Sequence, residues 1–313
     1  MTVSHERPSG TAVSVAETIE DIRRLIAAAR EKALGPVGFV PTMGSFHEGH
    51  LSLMRKARRE CGFVVVSIFV NPIQFGPDED LETYPSDISR DLELAAAEHV
   101  DAVFHPVGKV MFPNGFDTYV EPGAIAEGLC GETREGHFRG VATVVAKLFN
   151  IVQPDVAYFG QKDAQQAAVI RRLVADLDFP LEIRVCPTVR EADGLAMSSR
   201  NSYLSEAERA QAPVLYQALC AARDAVSSGE RSASRVKRLM RRTVGQNYLV
   251  DLEYARIVDP DTMEPVSEID REVLAAVAAM IGNARLIDNL LISPETGAPG
   301  RPEGKSATNM VEE

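Results

Sequence analysis

The chain has 313 residues, of which 45% are hydrophobic and 25% charged, close to the averages of folded globular proteins. That length suggests two domains, at roughly 100–200 residues each, and the composition excludes a collagen-like, mucin-like or wholly disordered chain. Its 33 Lys and Arg against 45 Asp and Glu leave a net charge of −12, which argues against a nucleic-acid partner because binding a phosphate backbone needs a basic face. A small anion pocket stays open, since the field of a pocket is local. No membrane partner is read: the longest apolar runs, Phe63–Val70 and Val273–Ile281, fall short of the ~18–20 residues that cross a bilayer. Met1–Ala16 lacks the basic segment and apolar run of a secretory signal. The four cysteines, at 61, 130, 186 and 220, show no C-x-x-C spacing and no disulfide framework. A reducing cytoplasm is the expected compartment.

Residues 1–15 are expected to be loose. Val37–Pro41 then reads as a strand, Leu51–Cys61 as a helix, and Phe63–Val70 as a strand apolar on both faces, the kind buried inside a parallel sheet. Ser86–Glu98 reads as a helix opened by Ser-Asp, Ala102–His105 as a short strand, and Gly140–Val152 as a helix stopped before Pro154. Val156–Phe159 (strand), Asp163–Asp176 (helix) and Leu181–Cys186 (strand) close the series. This alternation predicts an α/β fold with an open, mostly parallel sheet and helices on both faces. After 188 the texture becomes α+β. Ser205–Ser227 and Ser232–Val244 read as two helices, Leu249–Val258 as β-like, and Glu272–Ile281 and Arg285–Ile292 follow. The expected organisation is a first domain over 1–188, a smaller α+β domain over 189–293, and a disordered tail over 294–313 rich in Gly, Pro, Glu and Ser.

Several phosphate-binding and catalytic signatures are missing: G-x-x-x-x-G-K-[ST], G-x-G-x-x-G after the first strand, G-x-S-x-G and H-E-x-x-H. Four other constellations remain. Val40-Pro41-Thr42-Met43-Gly44-Ser45-Phe46-His47-Glu48-Gly49-His50 begins at the end of the first strand and runs into a helix, and ligands of open α/β sheets bind off the carboxyl ends of strands. A helical turn would bring His47 and His50 to one side, where a helix N-terminus favours a phosphate. Two surface histidines are the plainer reading, and a zinc site lacks a third ligand at suitable spacing. Gly160-Gln161-Lys162-Asp163 is a second strand-to-helix turn. Lys162 suits a phosphate, and Asp163 suits either a helix cap or Mg²⁺; taken alone, a cap and a solvated lysine are the plainer reading. Met197-Ser198-Ser199-Arg200 offers two hydroxyls and a guanidinium, as a triphosphate clamp or as an ordinary Ser-rich turn. Asn71 and Gln74 leave the Phe63–Val70 strand as neutral hydrogen-bonding groups, or as part of an Asn-Pro turn. All four are expected at one edge of one sheet, or just after its last strand.

Five segments carry a resemblance to a known family: PTMGSFHEGHLSL (41–53), SIFVNPIQFGPDEDLETYP (67–85), GHFRGVATVVAKLFNIVQPDVAYFGQKDAQQ (136–166), PTVREADGLAMSSRNSYL (187–204) and ARLIDNL (284–290). Over about residues 15–292 the chain resembles the pantothenate synthetases, or pantoate–β-alanine ligases. These are Rossmann-like members of the nucleotidyltransferase superfamily with the H-x-G-H and K-M-S-K-S-like signatures. The resemblance implies ATP-dependent condensation of pantoate with β-alanine through pantoyl adenylate, with Mg²⁺ required, and release of pyrophosphate and AMP. It implies an ATP site at Met43, Gly44, Ser45, Phe46, His47, Glu48, Gly49, His50, Gly160, Gln161, Lys162, Asp163, Val189, Met197, Ser198, Ser199 and Arg200. His50 matches the family's proton donor, and His47, Lys162 and Arg200 complete the catalytic set. Gln74 and Gln166 match pantoate ligands, Gln74 also a β-alanine ligand, and Asn71, Tyr84 and His137 other pocket positions. Mg²⁺ would be held mainly through ATP phosphates, with Asp163 as a possible ligand. Gly76–Tyr84 corresponds to a flexible cover. A homodimer through the first domain is implied, with Phe63–Val70, taken to lie near a sheet edge, as the candidate surface. Departures from the family pattern are Ser45-Phe46, Gln161 and Ala164. The competing readings are another H-x-G-H adenylyltransferase, which would lack the N-P-x-Q-F and H-F-x-G-V segments, and a non-catalytic nucleotide binder, which would have lost part of the set His47, His50, Lys162 and Arg200. No strong base for the amine is read in the motifs; solvent or a phosphate remain as acceptors.

Overall fold

A computed structural model describes residues 13–77 and 79–294 of the chain. The elements of the first half are β1 (Ser14–Ala16), α1 (Ile19–Glu31), β2 (Val37–Thr42), α2 (Glu48–Glu60), β3 (Phe63–Ile68), α3 (Ile88–Ala97), β4 (Ala102–Phe104), α4 (Gly108–Met111), α5 (Cys130–Thr133), α6 (His137–Val152), β5 (Val156–Gly160), α7 (Ala164–Asp176) and β6 (Glu182–Cys186). The second half contributes α8 (Glu206–Gln211), α9 (Val214–Ser227), α10 (Ala233–Val244), β7 (Val250–Val258), β8 (Val273–Ile281) and β9 (Ala284–Ile292).

The first six strands pair in parallel in the order β1-β4-β3-β2-β5-β6. β2 and β3 are the apolar central strands, and every residue of β3 is buried. That burial explains an apolar run broken only by Ser67 where a half-exposed strand would alternate. From β2 the chain moves to β3 on one side, and from β5 to β6 on the other. The crevice beyond the carboxyl ends of β2 and β5 is therefore the topological switch point, where open α/β sheets bind ligands.

Four expectations need correction. β3 lies in the interior of the sheet and β1 and β6 are its edges, so Phe63–Val70 offers no edge for a dimer. Ser14–Ala16 is a strand paired with Ala102–Phe104 rather than part of a loose end; residues 1–12 and the tail from 295 lie outside the described residues. Helix α1 was not anticipated, although Thr18 caps it, Glu20 and Asp21 fill its first turn, and Ile22, Ile26 and Ala29 form its buried stripe. Ser205–Ser227 is two helices rather than one, because Pro213, which has no N–H to donate, breaks the path between Gln211 and Val214.

The strands β7, β8 and β9 form an antiparallel sheet. Alternate residues of β8 serve two cores. Leu274, Ala276 and Ala278 pack with the parallel-sheet half, while Val273, Ala275, Val277 and Ala279 pack with α9 and α10. The small sheet is thus sandwiched, and its middle strand reads as one long apolar run.

Helix α6 meets the turn after β3 with almost no clearance. A Cβ added at Gly140 would stand 2.3 Å from the Ile73 carbonyl oxygen and 2.6 Å from Gln74 Cα. Gly140→Ala is expected to push these backbones apart and to cost about 1–3 kcal/mol of stability, the range for overpacking. Denaturant unfolding measures this; an unchanged midpoint and slope would contradict the contact.

Candidate active site

The site begins where β2 ends. Thr42 Oγ1 donates to the Ser67 carbonyl at 2.6 Å, tying the strand end to β3. The chain then turns through Gly44 and Ser45, both in the left-handed region, at φ +88° and +54°. A Cβ at Gly44 would meet the Asp91 carboxylate at 2.9 Å, so glycine is needed both for the conformation and for the close approach. The buried Asp91 carboxylate, from α3, accepts from the backbone N–H of Ser45 and of Phe46 at 2.8 Å each. Phe46 is buried in the core beside α2.

His47 and His50 then form a reciprocal cap. The Gly49 N–H donates to His47 Nδ1 at 3.1 Å, and the His47 N–H donates to His50 Nδ1 at 3.3 Å. The two rings lie 4.1 Å apart between centroids. With each Nδ1 accepting, a neutral ring carries its proton on Nε2, so each histidine offers an uncharged N–H donor. The rings are held neutral. Burial, then the Lys162 charge, lowers the His47 pKa to about 4, and burial, then His47, lowers that of His50 well below its usual value. Gly49 has a role that spacing did not suggest: a Cβ there would meet the His47 ring at 2.8 Å, so the glycine makes room for the imidazole.

The opposite wall is the turn Gly160–Asp163, which follows β5. Lys162 Nζ lies 3.6 Å from an Asp163 carboxylate oxygen. Asp163 occupies the N-cap position of α7 but its side chain makes no capping bond, so the cap reading fails. The third wall holds Val189 and Met197–Arg200. The guanidinium of Arg200 forks onto the Asp80 carboxylate at 2.7 and 2.9 Å, and the Tyr84 hydroxyl lies 3.3 Å from Ser199 Oγ. On the fourth wall Asn71 Nδ2 donates to Gln74 Oε1 at 2.9 Å and to the Gly140 carbonyl at 3.1 Å. Asn71 Oδ1 is buried without a protein partner.

These walls enclose one cleft of about 220 Å³. It is lined by Met43, His47, Gly49, His50, Asn71, Gln74, Tyr84, His137, Gly160, Lys162, Asp163, Gln166, Val189, Met197, Ser198, Ser199 and Arg200. Gly44, Ser45, Phe46, Glu48 and Gln161 do not line it. The first three build the turn, Glu48 pairs with Arg55 at 2.7 Å, and the Gln161 amide bonds to Asn289 at 3.1 Å. The His137 ring is fully engaged: Nδ1 bonds to the Gln74 carbonyl and Nε2 to Arg134, both at 2.9 Å. It holds Gln74 and Arg134 in place, and burial, then Arg134, lowers its pKa to about 4.

Sequence reasoning missed Arg134, which lines the cleft and forks onto Glu79. Its position three residues before His137 was the available signal. Asp91 was also missed, because nothing local marks a carboxylate whose partners lie 45 and 46 residues earlier. Thr188, at the foot of the cleft, was missed as well.

A parallel sheet with its crevice at the switch point, an H-x-G-H helix start and a facing lysine define an α/β enzyme of nucleotidyltransferase-like fold. The profile of the pantoate-beta-alanine ligase family matches residues 14–291. A pantothenate synthetase of Thermotoga petrophila is 55% identical over 280 residues, 90% of this chain and 100% of the relative. A crystal structure of pantothenate synthetase from Thermus thermophilus superposes with a TM-score of 0.84 at 46% identity, covering 89% of this chain and 99% of that one. The pantoate-beta-alanine ligase of Francisella tularensis, complexed with beta-gamma ATP and beta-alanine, superposes with a TM-score of 0.74 at 34% identity, covering 91% and 100%. The chain belongs to the pantoate–β-alanine ligase family.

The lowered histidine pKa values carry a signed consequence. Between about 6.5 and about 4, the unfolded chain protonates His47 and His137 and the folded chain does not, so the unfolded state binds more protons. Their contribution to stability is present above 6.5 and is lost as the pH falls toward 4. Imidazole NMR of the free protein is expected to show both rings titrating near pH 4; titration near 6.5 would contradict their burial.

Proposed function

We propose that this cleft joins pantoate to β-alanine in two steps. The pantoate carboxylate attacks the α-phosphorus of ATP, forming pantoyl adenylate and releasing pyrophosphate. The amine of β-alanine then attacks the acyl carbon, forming pantothenate and releasing AMP. The observation that carries this reading is the pair of neutral histidines at the N-terminus of α2, facing Lys162 and Arg200 across one cleft.

The first step brings a carboxylate against an anionic phosphate, so the site must offset like-charge repulsion. Lys162 and Arg200 supply positive charge, and the start of α2 supplies its dipole. His47 and His50 donate from Nε2 to oxygens on which charge grows as pyrophosphate departs. Donors without net charge are suited to that role, because they strengthen as the acceptor gains charge. Met43, Gly160, Val189, Met197, Ser198 and Ser199 complete the nucleotide side. Gln74 and Gln166 orient the acids, and the buried Asn71 Oδ1 is an acceptor for a substrate hydroxyl. A substrate carboxylate entering beside Gln74 would compete with Glu79 for Arg134.

Mg²⁺ fits this donor set only as a cation held largely by the substrate. Among the described residues no cluster of three or more His, Cys, Asp or Glu could hold a metal, and Asp163 is the one carboxylate lining the cleft. Mg²⁺ is usually bound by one or two carboxylates together with phosphates and water, and it would neutralise phosphate charge. We also keep as proposals the division of the chain near 188, the homodimer, now without β3 as its surface, and a cytoplasmic location. The last is supported by four free cysteines and by the absence, among the described residues, of a helix long and apolar enough to cross a membrane.

Protein mixed with ATP, Mg²⁺, pantoate and β-alanine is expected to release AMP only when both acids are present; AMP formation independent of either would overturn the reading. His50→Ala is expected to slow single-turnover formation of pantoyl adenylate by at least about 10²-fold with little change in substrate KM. A near-wild-type rate would remove His50 from the mechanism.

A further inference from the structure

The Lys162 turn has no clamp of its own. Gly160, before it, has no side chain, and Asp163, at the N-cap position of α7, makes no side-chain capping bond. The clamp comes from the far end of the chain. On β9, the buried Asn289 donates from Nδ2 to the Gln161 carbonyl at 2.9 Å and to the Lys162 carbonyl at 2.8 Å, while its Oδ1 accepts from Gln161 Nε2 at 3.1 Å. One amide thus grips the main chain of the residue that carries the ammonium.

The preceding residue grips the other nucleotide-facing segment. The buried Asp288 carboxylate takes a forked pair of bonds from Arg190 and one bond from the Asn289 N–H. Arg190 donates onward to the Gly194 carbonyl at 3.0 Å and lies 3.9 Å over the Tyr216 ring, at the base of the loop that leads to Met197–Arg200. Burial pushes the Asp288 carboxyl up, and the Arg190 pair and the Lys162 charge pull it back. Adjacent residues on one strand therefore reach two loops on opposite walls of the cleft.

We propose that Asn289 is a positioning residue that sets the place of Lys162 on the nucleotide, and that Asp288, through Arg190, registers the Met197–Arg200 loop against it. The strand β9 thereby acts as the gauge between the two cationic walls. This inference rests on Lys162 serving the ATP-dependent step.

The test is a double-mutant cycle on single-turnover formation of pantoyl adenylate, with wild type, Asn289→Ala, Lys162→Ala and the double variant. Asn289→Ala is expected to slow the step by about 10- to 100-fold, as a misplacement of about an ångström does, with pantoate affinity by calorimetry unchanged. The double variant is expected to be no slower than Lys162→Ala, because Asn289 acts through that side chain. Losses that multiply would assign Asn289 a separate, structural role and overturn the inference. A wild-type rate in Asn289→Ala would overturn it too. If Asn289→Ala does not fold, Asn289→Ser, which is too short to span both carbonyls, takes its place with the same two criteria. A wild-type rate in Lys162→Ala is a distinct outcome: it removes the nucleotide role of Lys162 and, with it, this inference.

Discussion

The cleft depends on the turn that carries the chain from β2 into α2. That turn must leave the first amides of a helix uncovered at the switch point of the sheet, and it does so through two consecutive left-handed residues, Gly44 and Ser45. Such a path is costly for a non-glycine residue and persists only where surrounding structure over-determines it. Asp91 supplies the determination. Its carboxylate takes the two N–H groups that the turn would otherwise leave unpaired, and Phe46 anchors the turn in the core. The reciprocal cap of His47 and His50 follows from that start. Each ring accepts a backbone N–H at Nδ1, and this same bond leaves Nε2 as an uncharged N–H donor.

The acidity of the molecule is compatible with anionic substrates because charge at the cleft is managed locally. A net charge of −12 belongs to the chain as a whole, but among the described residues Asp163 is the one carboxylate that lines the cleft. Asp80 and Glu79 lie just outside, each committed to an arginine. The histidines add donors without adding charge, so they do not compete with Lys162 and Arg200 through repulsion between cations. The segment bearing Glu79 and Asp80 is tied by ion pairs to Arg134 on one wall and Arg200 on another.

Much of this was legible in the residues alone, and what was missed has physical causes. β2, β3 and β5 were readable because burial leaves each of them mostly apolar, with Ser67 the one polar break in β3. The two turns after β2 and β5 were readable as cleft walls because strand ends in open α/β sheets face the ligand crevice. Within the Met43–His50 stretch, however, sequence spacing could not tell residues that face the cleft from the rest: Gly44, Ser45 and Phe46 build the turn, and Glu48 pairs with Arg55. Asp91, Asp288 and Asn289 were missed because their partners lie far along the chain. Asn289 meets Lys162 at a distance of 127 residues along the chain, beyond any local pattern. The break at Pro213 and the helix Ile19–Glu31 were visible in principle: a proline interrupts the first pattern, and Thr18, Glu20 and Asp21 mark the start of the second ahead of β2.

The central claim is that the geometry of the β2–α2 turn, rather than the histidines alone, makes the site. Single-turnover formation of pantoyl adenylate by Asp91→Ala tests it most directly, because Asp91 does not line the cleft. With folding confirmed by denaturant unfolding, a loss of about tenfold or more is predicted, the cost of misplacing catalytic donors. A folded Asp91→Ala protein that forms the adenylate at the wild-type rate would contradict the account.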